Sequence, residues 1–144
     1  MRDLIHLGFL IERRYAPYSK WFGTAFSRLP CAAVLTPVFD QVLSATSWTD
    51  RERFLAQAYE YVAGLHNDLD ITAPLETAVS PFYGRPFQVI HADRFVSAIL
   101  AKIQDPVLRR LGTYGGVDQI TDNTDVRSHP SAYRRLAPLY EDGS

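Results

Sequence analysis

The feature that most constrains the fold is a set of apolar residues with helical spacing between positions 92 and 103. These residues recur at i, i+3, i+4, i+7, i+8 and i+11 and are Ala92, Phe95, Val96, Ile99, Leu100 and Ile103. This spacing places all of them on one face of an α-helix, whereas a strand would divide them between two faces. The sequence therefore predicts an amphipathic helix over residues 91–103 that packs against a core.

Six further segments have helical patterns with recognisable start or stop signals. The predicted helices cover residues 3–14, 19–29, a short segment from 36, and residues 50–66, 106–111 and 130–140. Thr36 before Pro37 is typical of a helix start, and Thr49 with Glu52 has the spacing of a capping box. Residues 67–86 contain several prolines and predict a long connection.

No segment alternates between apolar and polar residues over more than about four positions, as a half-buried strand would. The predicted fold class is therefore all-α. We expect a single-domain helical bundle of about seven helices that spans residues 1–144.

Composition and charge exclude several classes of function. The chain has 144 residues, is 47% hydrophobic and 22% charged, and has a formal net charge of -1, with no sustained basic run. This gives no argument for binding to nucleic acid or to an anionic membrane. The single cysteine, Cys31, cannot form an intrachain disulfide and argues against a multi-thiolate metal site. No apolar run approaches the roughly 18 residues of a membrane span, so we expect a cytoplasmic protein.

Charged and aromatic residues are densest in residues 12–22, between two apolar segments. Arg14 and Lys20 can bind a carboxylate or phosphate, which would make an anionic small molecule the ligand. Three aromatic side chains could form flat apolar walls of such a pocket: Tyr15, Tyr18 and Trp21. The alternative is a helix corner, in which Glu12 pairs with an arginine and the aromatic residues belong to the core.

His66 and Asn67 stand near the predicted end of the fourth helix. A cationic histidine interacts favourably with a helix C-terminus, and a nearby acid could orient it as a base. A histidine that only caps carbonyls is the structural alternative. Long cationic side chains between apolar helices need a partner or a wet cavity. We therefore expect Arg14, Tyr18, Lys20 and Trp21 to form one partly buried polar site with the His66–Asn67 helix end.

The motif in residues 12–21 resembles the signature of an uncharacterised family, domain of unknown function 4037. Further stretches that resemble this family are residues 51–52 with 58–59, 66–67, 84–87 with 93–95, and 116–122. The resemblance implies a helical domain similar to the C-terminal helical domains of nucleotidyltransferases, often attached to a nucleotidyltransferase-like head. It also adds Arg85, in the third of these stretches, to the predicted ligand-binding residues.

The chain lacks the head's own nucleotide-binding pattern. That pattern is a Gly-Ser turn followed about ten residues later by an Asp-x-Asp pair that holds magnesium against a triphosphate. Asp68 and Asp70 have the acidic spacing, but a predicted helix rather than a glycine turn precedes them. The sequence therefore predicts a helical substrate- or partner-recognition module of nucleotidyltransferase type, not itself a complete catalyst. Its partner would be a nucleotidyltransferase domain or protein, and neither a cofactor nor a metal is expected.

Two alternatives remain open. The chain could be a stand-alone small-molecule enzyme or binding protein that uses the polar and aromatic pocket. Alternatively, the five residues between Arg85 and His91 match the spacing in a family of helical ribonucleases, which would make this a ribonuclease-like protein. Pro86 argues against one continuous helix that carries both side chains.

Overall fold

The computed structural model describes residues 1–110, 126, 128–136 and 138, and this part of the chain is mostly helical. It contains seven helices and one two-stranded sheet: α1 (Arg2–Ile11), α2 (Ser19–Phe26), α3 (Ala32–Ser44), α4 (Trp48–Asp68), β1 (Ser80–Phe82), β2 (Arg85–Val89), α5 (Asp93–Lys102), α6 (Pro106–Arg110) and α7 (Pro130–Arg134). The chain divides into two compact units, Met1–Ile99 and Leu100–Ser144. None of the helices described is both long and apolar enough to cross a membrane.

The core of the first unit is formed by α1, α3 and α4 together with the segment around Leu29. Leu35 of α3 and Ala58 of α4 are both completely buried, so the two helices are in close contact where these residues lie. Aromatic rings extend the core, with Phe26 and Phe39 at a centroid distance of 6.0 Å and Phe9 and Phe22 at 5.6 Å. Burial of each large apolar side chain contributes about 1.5–3 kcal/mol, which makes this cluster the main source of stability.

The C-terminus of α1 is a Schellman motif. Arg13 has a φ of 54°, and its N–H donates to the Leu10 carbonyl at 3.0 Å. The N–H of Arg14 donates to the Phe9 carbonyl at 2.9 Å, which completes the motif. The helix therefore ends sharply at Ile11, and residues 14–18 continue without helix or strand.

Most predicted helices are confirmed in type and place. The patterns over residues 3–14, 19–29, 91–103 and 106–111 correspond to α1, α2, α5 and α6. The last predicted helix, 130–140, is seen as the shorter α7, and residues 137, 139 and 140 lie outside the described part of the chain. The stretch 116–122 that resembles the family also lies outside it. The single domain over residues 1–144 stays a prediction.

The start of α3 was predicted wrongly. The helix begins at Ala32, before the expected cap Thr36, and Pro37 lies inside it. Pro37 removes one backbone hydrogen bond, which normally disfavours an interior position. Here Ala32 and Leu35 precede the proline and are both buried in the core. This burial offsets the lost hydrogen bond, because tertiary packing outweighs local signals.

The expectation of an all-α fold is corrected by a β-hairpin. Strands β1 and β2 are antiparallel, and Tyr83 and Gly84 connect them with φ values of 46° and 74°. Two consecutive residues with positive φ are the requirement of a tight type I′ turn. The sequence did not predict strands here because Pro81 and Pro86 cannot donate to a sheet and fall in a segment without alternation.

Two glutamates of α4 hold the hairpin against the helix. Glu60 Oε1 accepts a hydrogen bond from the Val79 backbone N–H at 3.0 Å, and Glu52 Oε1 accepts one from Gln88 at 2.9 Å. Hydrogen bonds to a charged acceptor are among the stronger ones in proteins. The hairpin therefore depends on side chains of a distant helix as well as on its own ladder.

The N-cap of α4 is Ser47, not Thr49. Ser47 Oγ accepts a hydrogen bond from the Asp50 N–H at 3.0 Å and donates one to Asp50 Oδ2 at 2.7 Å. The Ser47 hydroxyl, followed by Arg53, lowers the pKa of the Asp50 carboxyl. The N-cap therefore lies two residues before the predicted one, in agreement with the stronger preference of serine than of threonine for this position.

We expect Ser47→Ala to lower the free energy of unfolding by about 1 kcal/mol, because it removes the side-chain partner of a helix-start amide. Thr49→Ala is the matched control and should stay within about 0.5 kcal/mol of the parent, since Thr49 is exposed and is not the cap. Urea denaturation followed by circular dichroism measures both. A larger loss for Thr49→Ala than for Ser47→Ala would contradict this assignment of the cap.

Helix α1 packs closely against the core at Gly8, which is buried. A Cβ added at Gly8 would lie 3.0 Å from Cys31 Sγ and 3.6 Å from Leu29 Cδ1. Cys31 is buried, and this burial raises the pKa of its thiol. At this position Cys31 packs as a small apolar residue of the core.

Gly8→Ala should destabilise the protein although alanine favours helices. Overpacking against Cys31 costs about 1–3 kcal/mol, whereas the helical preference of alanine contributes only about 0.5–1 kcal/mol. Gly64 is also helical but has no atom within 4 Å of an added Cβ. Gly64→Ala should therefore raise the melting temperature and Gly8→Ala should lower it. An equal rise in melting temperature in the two variants would contradict this prediction and would show that α1 can move away from Cys31 without a loss of stability.

Candidate functional site

A cavity of about 310 Å³ lies between α1, α4 and the chain from Ile90 to Ile99. Helix α1 contributes Leu4, Leu7 and Ile11 to its wall. Helix α4 contributes Tyr59, Val62, Ala63 and His66. The remaining lining residues are Ile90, Ala92, Phe95, Val96 and Ile99. Apart from Tyr59 and His66, the wall is aliphatic or phenylalanine, so the cavity favours an apolar occupant.

The cavity exists because the apolar face of α5 is not packed tightly. None of the residues of α5 is fully buried. Val96 is 41% exposed and Ile99 37% exposed, and Leu7 on the opposite wall is 43% exposed. The helix was predicted correctly, but its apolar face lines an open cavity instead of a filled core. Periodicity identifies the face of a helix and does not show how completely a neighbour covers it.

His66 is the polar group on the cavity wall. Its ring meets Phe95 edge-on at a centroid distance of 5.1 Å, and Nε2 lies 3.0 Å from Thr72 Oγ1. The Thr72 hydroxyl also lies 3.0 Å from the Ala73 carbonyl oxygen. Its single hydrogen can go to this carbonyl or to Nε2, so the tautomer of the ring decides which group donates in the His66–Thr72 hydrogen bond. Histidine at this place binds a hydroxyl rather than helix carbonyls.

Asn67 has a structural role at the end of α4. Its Nδ2 donates to the Leu75 carbonyl at 2.8 Å, and its Oδ1 accepts from the Leu75 N–H at 3.0 Å. Helix α4 continues to Asp68, and the residue with positive φ that follows it is Asp70 rather than Asn67. The two hydrogen bonds hold the connection after α4 against the helix end.

The cluster predicted from residues 12–22 lies on the surface. We call Arg13, Arg14, Tyr15, Tyr18, Lys20 and Trp21 the basic–aromatic surface, and all six are exposed. Lys20 Nζ lies 5.9 Å from the Trp21 ring centroid. None of the six lines the apolar cavity, so the structure does not bring them together with His66 in one partly buried site. The cations face water, which avoids the cost of burying them.

Arg85 and His91 lie on different elements. Arg85 is exposed on β2, with its guanidinium carbon 5.7 Å from the Phe82 ring centroid. His91 follows β2 with a φ of 51°, and its Nε2 lies 2.8 Å from Ser80 Oγ. No helix carries both side chains, as Pro86 indicated.

A second, polar groove of about 390 Å³ lies between α4 and the hairpin. Its wall includes Glu52 and Glu60, whose carboxylates already accept the hairpin amides described above. The acids in this groove therefore have a structural function. Among the residues that the structure describes, no group of three or more His, Cys, Asp or Glu side chains could hold a metal ion.

Arg94 in the first turn of α5 was not among the predicted site residues. Its Nε and Nη2 atoms are buried and have no hydrogen-bond partner in the described part of the chain. Its guanidinium carbon lies 5.3 Å from the centroid of the Phe95 ring, which lines the apolar cavity. Arg94 falls in the stretch 93–95 that resembles the family, but an arginine beside an apolar helix face is an ordinary surface pattern, so its residue type did not mark it as a site residue.

Glu76 is an acid close enough to Arg94 to be influenced by its charge, but the two form no ion pair. Glu76 Oε1 accepts the N–H groups of Thr77 at 2.8 Å and Ala78 at 3.0 Å. These amides lower the pKa of the Glu76 carboxyl, and Arg94 contributes least among the causes. The Nε and Nη2 donors of Arg94 therefore remain without an acceptor among the described residues.

Comparison with known proteins gave no relatives: no protein-family model matches the chain, and neither a curated protein nor a solved structure is detectably similar to it. The resemblance to domain of unknown function 4037 rests on the motifs quoted above and stays a prediction.

Proposed function

We propose that the protein is a recognition module that binds a small, largely apolar molecule in the cavity between α1, α4 and α5. The observation that carries this proposal is the cavity itself, whose wall is almost entirely apolar and partly open to solvent. Its volume is at the lower end of the roughly 300–1,000 Å³ typical of ligand pockets. Exposed apolar surface on Leu7, Val96 and Ile99 would be removed from water by an occupant.

Recognition fits the lining better than catalysis does. His66 is the one lining side chain that commonly acts as a base near neutral pH, and its Nε2 is already hydrogen-bonded to Thr72. The lining contains no carboxylate, serine or cysteine that could act with it. A ligand would gain about 0.8 kcal/mol for each methylene buried, against an association cost of at least about 4 kcal/mol. Only a molecule that fills most of the cavity would bind measurably.

Filling the cavity with protein atoms should prevent binding. We expect Val96→Phe to weaken binding of the neutral probe N-phenylnaphthylamine about tenfold or more, since overlap with a filled site costs about 1–3 kcal/mol. Val34→Phe is the matched control: Val34 is 43% exposed, lies on α3 and does not line the cavity. Fluorescence titration of the probe measures both, with circular dichroism as the check on folding.

Saturable binding to the parent and to Val34→Phe, together with its loss in Val96→Phe, is the expected result. Equal binding by both variants would mean that the probe occupies another surface. Absence of saturable binding to the parent would overturn the proposed function.

A second candidate function is recognition of a protein partner through the basic–aromatic surface. The specific observation in its favour is that Tyr15, Tyr18 and Trp21 are all exposed beside three cations. Tyrosine, tryptophan and arginine are enriched where proteins bind one another. The partner implied by the sequence resemblance is a nucleotidyltransferase-like head, with this chain as its helical module.

Trp21 offers a direct report on this surface. The chain contains two tryptophans, so Trp48→Phe leaves Trp21 as the only one. Addition of a nucleotidyltransferase-like head protein should shift the emission of Trp21 to shorter wavelength, because binding would remove the exposed indole from water. A Tyr15→Ser substitution in the same background should weaken this response. An unchanged spectrum at high partner concentration would remove this candidate.

A further inference from the structure

We propose that the molecule bound in the apolar cavity carries a carboxylate, and that Arg94 binds this carboxylate. The inference rests on the proposed binding function and specifies the chemical class of the ligand. It assigns to Arg94 the recognition of an anion that the sequence had suggested for Arg14 and Lys20.

The geometry of the guanidinium selects a carboxylate. Nε–H and one N–H of Nη2 point in the same direction from one edge of the planar group. These two parallel donors match the two oxygens of a carboxylate. In Arg94 both atoms of this edge are buried and have no hydrogen-bond partner among the described residues. Two buried N–H donors without an acceptor are unfavourable, and an ionised ligand would supply the missing acceptors.

Phe95 connects this edge with the cavity. The guanidinium carbon of Arg94 is 5.3 Å from the Phe95 ring centroid, and the same ring forms part of the cavity wall beside His66. Because the donor edge is closed to solvent, a ligand reaches it when the Phe95 ring or the arginine side chain rotates. The apolar part of the ligand then remains against the aliphatic wall.

The charges around the cavity favour a singly charged head group. The residues that line the cavity include no lysine, arginine, aspartate or glutamate. Arg94 contacts the wall through its guanidinium, which lies beside the ring of the lining residue Phe95. Glu76 does not neutralise it, since its Oε1 accepts two backbone amides and no ion pair joins the two side chains. A single guanidinium balances one carboxylate and would leave a doubly charged phosphate undercompensated.

The experiment compares decanoate with decanol, which have the same chain length and differ in the head group. Each competes with N-phenylnaphthylamine for the full-length protein at about pH 8, where simple carboxylic acids, with pKa values near 4, are ionised. The variants are Arg94→Met, which keeps much of the side-chain volume, and Arg53→Met as the control. The guanidinium carbon of Arg53 also lies beside an aromatic ring, 4.4 Å from the Phe54 centroid, but Arg53 is exposed and does not line the apolar cavity.

We expect the parent and Arg53→Met to bind decanoate about tenfold more tightly than decanol, the usual effect of one charged hydrogen-bonded pair. In Arg94→Met this preference should disappear while binding of the neutral probe and of decanol is retained. Tight binding of both decanol and the probe without preference for decanoate would overturn the carboxylate inference and leave the proposed function intact. A preference that survives in Arg94→Met would also overturn it. If neither decanol nor the probe binds, the proposed function fails with it.

Discussion

The rest of the structure depends on the close contact between α3 and α4, where Leu35 and Ala58 are completely buried. Both residues belong to the buried core cluster, and protein interiors of this kind are packed densely with few voids. Helix α4 has 21 residues and is long enough to contact several other elements. One side packs on α3, and other positions along the same helix line the apolar cavity and bind the hairpin. Disruption of this contact would therefore affect every other feature of the first unit.

The sequence predicted the helices far better than their packing. The 3.6-residue pattern located α5, because apolar periodicity is a local signal that depends only on residues of the same segment. The hairpin was missed because its two prolines and its turn residues give no alternating pattern. The start of α3 was missed because burial of Leu35 outweighs the local preference for a helix start at Pro37. Such outcomes depend on contacts between distant residues, which a single sequence does not reveal.

The candidate site shows the same limit more strongly. Reasoning from residue types singled out Arg14, Lys20 and Trp21, where charge and aromatic surface are concentrated, and the structure places them in solvent. The same reasoning also singled out His66 as a polar residue near a helix end, and this side chain does lie on the cavity wall. Arg94 could not be identified, because what distinguishes it is the lack of an acceptor for two buried nitrogens. The absence of a partner is a property of the folded environment and leaves no trace in residue type or spacing.

The attachment of the hairpin to α4 through Glu52 and Glu60 has a consequence for motion. The amides of Val79 and Gln88 are bonded to side chains rather than to a neighbouring strand, so their hydrogen exchange reports on release of the hairpin from the helix. Proteins open locally in units that only a few contacts attach to the core, while the core remains folded. Ile90 follows β2 directly and forms part of the cavity wall. Release of the hairpin would therefore also loosen one side of the cavity, which couples entry of a ligand to a local opening that leaves α3 and α4 in place.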